Sequence, residues 1–367
     1  AGYFVVSTFN SLLDGSISSI TRDVADNIFS LAWTTNRNGC NQTLYLLWQD
    51  FFVLQSNSCH FDFLEYLNNL IISKKEPRDI LNVSSLLIGI GNVFSEHNQH
   101  ECSLEFYSKS ILLYPKNAVA HNNRGSVLGI LKKHNEAIDD FSRAIELDRN
   151  FAPAYYNRGI AKGYTGNIID SIKDFTSSLN IDKLNKNCFY NRGISYANIG
   201  MHNEAIVDFT NAICLDEKFV NAYIFRSISL IHSNNKISAL SDTNTAVALD
   251  PFNPECHKSR GNIQYRLGNY DDAIRDFSKA IELKHNTQEV YNNRGLAKAQ
   301  KGDNVGALED FTIAIRLNPY YAAAYFNRGV SNGYLGNIGD AISDYGETIK
   351  LQTDNSDAYK NRGIALA

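Results

Sequence analysis

Asn123-Arg124-Gly125 is the first of several Asn-Arg-Gly tripeptides spaced by 34 residues or a multiple of 34 along this chain. The others are Asn157-Arg158-Gly159, Asn191-Arg192-Gly193, Asn293-Arg294-Gly295, Asn327-Arg328-Gly329 and Asn361-Arg362-Gly363. Two altered triplets, Phe225-Arg226-Ser227 and Ser259-Arg260-Gly261, keep the same spacing. A fixed period of this length is typical of stacked copies of one supersecondary unit, each too small to bury its apolar face alone.

The repeat frame divides the chain into four parts when the glycine of the tripeptide is placed at position 8 of 34. Seven full repeats occupy 118–355 and begin at Ala118, Ala152, Lys186, Val220, Pro254, Gln288 and Ala322. A degenerate repeat is predicted over 84–117, and 356–367 is the first helix of an unfinished repeat. Residues 1–83 do not keep the frame, and we expect them to form a helical N-terminal cap on the stack.

Within each repeat, the pattern of small and aromatic residues predicts two helices. Small residues recur at positions 20 and 27, with an aromatic residue at position 24 in all full repeats but one. Seven residues are two helical turns, so these side chains lie on one face. Five repeats have glycine at position 15, where it ends the first helix with a positive φ. Each repeat is therefore predicted to be a pair of packed helices of about 14 residues.

This arrangement, with its period, resembles the tetratricopeptide repeat family over residues 84–367. The chain departs from the family pattern at position 7, which is Arg instead of the usual Leu, and often at position 11, for example at Lys162. The resemblance implies an all-α, right-handed superhelical solenoid whose first helices line the concave wall. It also implies a partner that is a protein or a peptide.

Composition and charge exclude several other classes of function. The formal net charge is -4 and the pI is about 6.2, so we expect no nucleic-acid partner. No run approaches the roughly 18 to 20 apolar residues of a membrane span. The six cysteines form no C-x-x-C pair, and we expect no metal and no cofactor. The compartment stays open, either cytoplasmic or secreted after removal of a leader, because the chain begins at Ala1 without an initiator Met.

The predicted cap region holds two further features that matter in an oxidising compartment. Cys40 and Cys59 lie outside the repeats, and the sequence leaves open whether they pair. Asn41 and Asn82 begin the N-x-S/T tripeptides of the chain. They are glycosylation acceptors if the protein is secreted.

Arginine and aspartate recur together in the repeats, which predicts structural ion pairs. Position 7 is Arg124, Arg158, Arg192, Arg226, Arg260, Arg294, Arg328 and Arg362, and position 23 is Asp140, Asp174, Asp208, Asp242, Asp276, Asp310 and Asp344. The degenerate repeat has Ile90 and Phe106 there, so both members are lost together. The sequence leaves open whether partners belong to one repeat or to neighbours. The alternative is a groove lined with arginines that binds anions, and the structural interpretation is favoured.

The family resemblance places position 6 on the concave wall, where its side chains predict a peptide-binding surface. Its asparagines are Asn123, Asn157, Asn191, Asn293, Asn327 and Asn361. An amide side chain can donate to one backbone carbonyl and accept from one N–H, which suits an extended peptide of any sequence. The alternative, that these asparagines stabilise the scaffold, stays open because Phe225 and Ser259 interrupt the series. Tyr156, Tyr190 and Phe326, one residue earlier, add apolar surface.

Some members of the family clamp a C-terminal carboxylate with Lys and Asn in one repeat and Asn in the next. Lys258, Asn262 and Asn293 match those positions, but Ala323 and Asn327 stand where the last basic groups belong, so the clamp is incomplete. The sequence carries no nucleophile, P-loop or zinc motif, and no catalysis is expected. We therefore predict a non-enzymatic interaction scaffold. The alternative is a self-assembling protein that stacks head-to-tail into a filament.

Overall fold

A computed structural model describes residues 77–367, apart from some side chains near the start of its first helix. These residues form seventeen α-helices and no β-strand. The chain divides into two compact units between Lys183 and Leu184. The predicted cap, with Cys40, Cys59 and Asn41, lies outside the described residues.

The described part of the first unit, 77–183, contains three consecutive helix pairs. Its helices are α1 (Pro77–Glu96), α2 (His100–Leu113), α3 (Ala118–Ile130), α4 (His134–Leu147), α5 (Ala152–Tyr164) and α6 (Ile168–Ile181). Helix α1 starts before Ser84, so the predicted boundary at 83/84 falls inside a helix. Asn82 is consequently part of α1 and does not lie in a loop.

The second unit, 184–367, contains five helix pairs and one last helix. Its helices are α7 (Lys186–Asn198), α8 (His202–Leu215), α9 (Val220–His232), α10 (Lys236–Leu249), α11 (Pro254–Arg266), α12 (Tyr270–Glu282), α13 (Gln288–Gln300), α14 (Asn304–Leu317), α15 (Ala322–Tyr334), α16 (Ile338–Leu351) and α17 (Ser356–Leu366).

Within each unit, every helix packs against the helix before it and the helix after it. First helices of neighbouring repeats also touch each other, for example α11 and α13. The predicted all-α solenoid of stacked helix pairs is therefore confirmed. The right-handed sense of a superhelix stays a prediction.

The ends of the first helices follow from local sequence. The position 15 glycines adopt φ values from 78° to 89°, the left-handed conformation that glycine reaches without a steric penalty. Where that glycine is missing, Lys132 and Asn234 adopt φ values of 62° and 59° instead. Several first helices start at an asparagine cap. Asn117, for example, accepts hydrogen bonds from the backbone N–H groups of Val119 and Ala120.

The core of each repeat depends on a close contact between the glycine at position 8 and the aromatic ring at position 24. A Cβ atom added at Gly193 would lie 2.8 Å from Cε1 of Phe209, whose side chain is fully buried. The contact recurs in the other repeats that keep both residues. The repeat that begins at Val220 has Ser227 and Thr243 at these positions, so a larger residue faces a smaller one. The sizes of the residues at these two positions are therefore coupled, because the core between them is close-packed.

Replacing this glycine should destabilise the protein even though alanine is the better helix former. For Gly193→Ala, overpacking against Phe209 lowers the free energy of unfolding by about 1–3 kcal/mol, and the better helix propensity of alanine raises it by up to about 1 kcal/mol. We expect a net loss of about 1–2 kcal/mol in urea denaturation. Gly346→Ala is the matched control in the same unit, because a Cβ there meets nothing within 4 Å. It should be neutral or stabilising, and an equal loss in both variants would contradict the close-contact argument.

Candidate functional site

Each of the seven position 23 aspartates binds the arginine of its own repeat, sixteen residues earlier, through two parallel hydrogen bonds. Arginine Nε donates to Oδ2 and Nη2 donates to Oδ1, at 2.6 to 3.0 Å. This bidentate geometry is the strongest form of such a pair. The structure thus places both partners in one repeat, the question that the sequence left open.

The third guanidinium nitrogen links neighbouring repeats. Nη1 of Arg158 donates to the hydroxyl of Ser142 at 3.1 Å, and Nη1 of Arg226 donates to that of Thr210 at 3.0 Å. The acceptor is position 25 of the preceding repeat, and Arg294 donates to Ser278 in the same way. Sequence reasoning missed this contact, although position 25 is Ser, Thr or Asn in every full repeat before the last. Because all three nitrogen atoms are engaged, these arginines do not form an open anion groove.

Some of the aspartates have a second cationic partner. Lys162 Nζ lies 2.8 Å from Asp174, and Lys298 Nζ lies 2.9 Å from Asp310. Position 11 lysine, which departs from the family pattern, therefore shares the buried carboxylate with the arginine. Asp242 has no such lysine among the described residues, because position 11 of its repeat is Leu230.

In the first full repeat, a histidine joins the ion pair, and together the histidine and the arginine lower the pKa of the aspartate. Burial alone would raise the pKa of Asp140, but hydrogen bonds from Arg124 and His121 outweigh burial and hold that pKa below its ordinary value. The carboxylate therefore contributes stability that is present above its unfolded pKa and is lost as the pH falls through the folded one.

Removal of the arginine should cost most where no lysine remains. Arg226→Ala strands Asp242, whose side chain is 8% exposed, and we expect a loss of about 3–5 kcal/mol in chemical denaturation. Arg294→Ala is the matched variant, because it also loses a bond to a hydroxyl but leaves Lys298 on Asp310. We expect a clearly smaller loss there. Equal losses would show that the lysine does not compensate the buried charge.

The position 6 asparagines bond to the preceding repeat. Their Nδ2 atoms donate to the Oδ1 atom of another asparagine at 2.9 to 3.0 Å, in the pairs Asn123–Asn92, Asn157–Asn122, Asn293–Asn262 and Asn327–Asn292. Asn361 lies near the side chain of Tyr345 instead. Asn191 holds the same position on α7. The asparagines thus take part in holding the scaffold together, which was one of the two interpretations left open.

Some of these amide groups keep unused hydrogen-bonding capacity. Asn293 is fully engaged, because its Oδ1 accepts from Asn292. Asn262 uses Oδ1 to accept from Asn293, and its Nδ2 group has no partner among the described residues. Asn327 likewise uses only its Nδ2 group. The Nδ2 group of Asn262 and the Oδ1 atom of Asn327 thus have no hydrogen-bond partner among residues 77–367.

The position 5 aromatic residues belong largely to the interior. Tyr190 packs with Phe219 and Phe225 at centroid distances of 5.0 and 5.6 Å, and burial raises its pKa to about 12. Tyr156 and Phe326 are half-buried against the position 24 aromatic residue of their own repeats, at 6.0 Å in both cases. Phe225, which interrupts the asparagine series, is therefore part of an aromatic cluster.

A cavity of about 440 Å³ lies among the first helices α9, α11 and α13 of the second unit, and we call it the first-helix cavity. Ile228, Ile263 and Leu296 supply apolar lining, and Asn262 and Asn293 supply amides. Ser259 also lines it, at the position where most repeats have the larger asparagine. The second interruption of the series thus coincides with open space.

Charged residues occupy the two ends of α11 at this cavity. Glu255 and Lys258 lie in its first turns, where Lys258 Nζ is 2.8 Å from Oε1 of Glu255 and 3.8 Å from Oε2 of Glu289. Arg266 is its last residue, and His232 is the last residue of the neighbouring α9. Lys258 was predicted to take part in a carboxylate clamp. Its charge is already balanced by two glutamates, which disfavours that role.

His232 also stacks on His202, with ring centroids 4.4 Å apart. Partial burial lowers the pKa of His232 below its ordinary value, and the charges of His202 and Arg266 lower it further. A histidine with a depressed pKa contributes stability at high pH that is lost as the pH falls below its unfolded value of about 6.5.

An NMR titration can check this assignment. The His232 ring resonance should titrate below about pH 6.5 in the native protein. In His202→Gln the stacked neighbour that can become charged is gone, so the midpoint should move upward. An unaltered His232 midpoint in the variant would contradict the stated cause.

Comparisons with known proteins agree with this architecture. The family model described as "Tetratricopeptide repeat" matches residues 118–151, and the one described as "TPR repeat" matches residues 261–302. No curated protein matches the sequence. Tetratricopeptide repeats are thus recognised in two segments of this chain, and such repeats support a role as a protein–protein interaction scaffold.

Two solved structures show the same fold at low identity. A tetratricopeptide repeat protein from Parabacteroides merdae ATCC 43184 has a TM-score of 0.56 and 16% identity over 68% of this chain and 99% of that one. A structure described as the APC/C hetero-tetramer Cut9-Hcn1 has a TM-score of 0.57 and 17% identity over 94% of this chain and 67% of that one. At such identities the likeness concerns the fold alone.

Two further properties hold for residues 77–367. None of their helices combines the length and the hydropathy required to cross a bilayer. No group of three or more His, Cys, Asp or Glu side chains among them is arranged to hold a metal ion.

Proposed function

We propose that this chain is a non-enzymatic interaction scaffold whose second unit binds an extended segment of a partner protein at the first-helix cavity. The observation that carries the proposal is the cavity itself, which opens where Ser259 replaces the asparagine of the other repeats. Head-to-tail self-assembly stays an alternative prediction.

The size and lining of the cavity suit a short stretch of polypeptide. Binding sites are typically of about 300–1,000 Å³, mostly apolar, with a few polar groups that fix orientation. The first-helix cavity has about 440 Å³ and combines isoleucine and leucine side chains with amides. An extended segment would place its apolar side chains against Ile228, Ile263 and Leu296.

An unused amide group supplies a contact to a peptide backbone. Asn262 lines the cavity, has a free Nδ2 group among the described residues and can donate to a carbonyl oxygen. Asn327 lies two first helices away on α15 and does not line the cavity. The orientation of Asn262 is held by its bond to Asn293, so little side-chain entropy is lost on binding.

A random library of 12-residue peptides displayed on phage tests this function without knowledge of the natural partner. We expect peptides selected on the native protein to lose affinity roughly 3- to 10-fold with Asn262→Ala, the value of one hydrogen bond or slightly more. Asn92→Ala is the control away from the cavity, because Asn92 accepts from Asn123 in the first unit as Asn262 accepts from Asn293; it also loses a bond from the Tyr107 hydroxyl.

The proposal fails if the library yields no peptide that binds the native protein. It fails as well if Asn92→Ala weakens binding as much as Asn262→Ala, because the contact would then not be at the cavity. Circular dichroism of both variants, which should match the native protein, verifies that the repeats remain folded.

A further inference from the structure

The first-helix cavity has chemically different ends because first helices of stacked repeats run side by side in the same direction. Glu255 and Glu289 occupy position 2 of their repeats, at the start of α11 and α13. His232 and Arg266 occupy position 13, at the end of α9 and α11. Eleven residues of helix separate these positions, which is about 16 Å at 1.5 Å per residue.

The end near the helix starts carries more negative than positive charge. Lys258 is the cation of the lining at this end, and it faces both Glu255 and Glu289, at 2.8 and 3.8 Å. Two carboxylates against one ammonium group leave one negative charge in excess. His285 contacts the other oxygen of Glu255 at 3.6 Å and does not line the cavity. This end therefore favours a cationic group in the ligand and disfavours a carboxylate.

The end of the cavity near the C-termini of α9 and α11 carries positive charge. Arg266 forms no ion pair with any of residues 77–367, and it is exposed. His232 stands close enough for the charge of Arg266 to lower its pKa, and its ring offers a further N–H donor. A guanidinium group beside an imidazole is suited to an anion such as a carboxylate.

From this geometry we infer that the partner segment carries opposite charges about 16 Å apart, with a basic side chain against Glu255 and Glu289 and an acidic one against Arg266 and His232. Between them, the apolar side chains of the segment lie against Ile228 and Leu296. An extended chain advances about 3.4 Å per residue, so the two charges are about five residues apart. This inference rests on the proposed function and specifies the class of its ligand.

Four synthetic peptides of equal length and identical apolar centre provide the test. One carries Lys near its N-terminus and Glu near its C-terminus, and the second has the reverse order. The third carries Lys at both ends, and the fourth carries Glu at both ends. We expect one of the two mixed peptides to bind at least about 5-fold more tightly than either like-charged peptide at low salt, by fluorescence polarisation. Higher salt should reduce that difference.

Charge-reversal variants assign the two ends. Arg266→Glu should transfer the preference to the peptide with Lys at both ends, and Glu289→Lys should transfer it to the peptide with Glu at both ends. Arg275→Glu is the matched control, because Arg275 is 77% exposed and does not line the cavity. It should leave the order of affinities unchanged.

The possible outcomes separate this inference from the proposed function. If either like-charged peptide binds most tightly, or if all four bind equally, the charge pattern is wrong while peptide binding at the cavity stands. If none binds at concentrations up to about 1 mM, a limit that corresponds to very weak affinity, the charge pattern is wrong and the proposed function loses its support as well.

Discussion

The buried arginine–aspartate pair is the interaction on which the architecture depends. It joins the two helices of one repeat through a bidentate contact, and in several repeats the third nitrogen atom of the guanidinium reaches a hydroxyl of the repeat before. A repeat has few internal contacts, so a group that binds within and between repeats contributes to both terms that stabilise a solenoid. Such a pair also strongly penalises loss of either partner, because the remaining charge is left buried.

Because each repeat has few contacts, the neighbours of an altered residue explain several departures from the repeat pattern. Lysine at position 11 looks like a defect of the family pattern, yet in two repeats it shares the buried aspartate with the arginine. Serine at position 8 accompanies threonine at position 24, so the packed volume is preserved. Ser259, the smaller residue at position 6, lines the first-helix cavity.

Much of the candidate site could be read from the period, and part of it could not. The asparagine positions, the ion-pair residues and the presence of Lys258, Asn262 and Asn293 follow from counting in steps of 34. Counting does not show which hydrogen bonds each amide already makes, or that two glutamates balance Lys258. The clamp hypothesis is therefore disfavoured for a reason that lies outside its own motif, in Glu255 of the same helix and Glu289 of the neighbouring one.

The sequence by itself determined the class of fold, the helix ends at position 15 and the residues that form the ion pairs. These properties are local or recur at a fixed interval, so one chain supplies many independent observations of each. Only the tertiary structure decided which repeat supplies each partner, that the asparagines bond to one another, and where the cavity lies. Those outcomes depend on distances between side chains of different repeats, which a periodic pattern leaves undetermined.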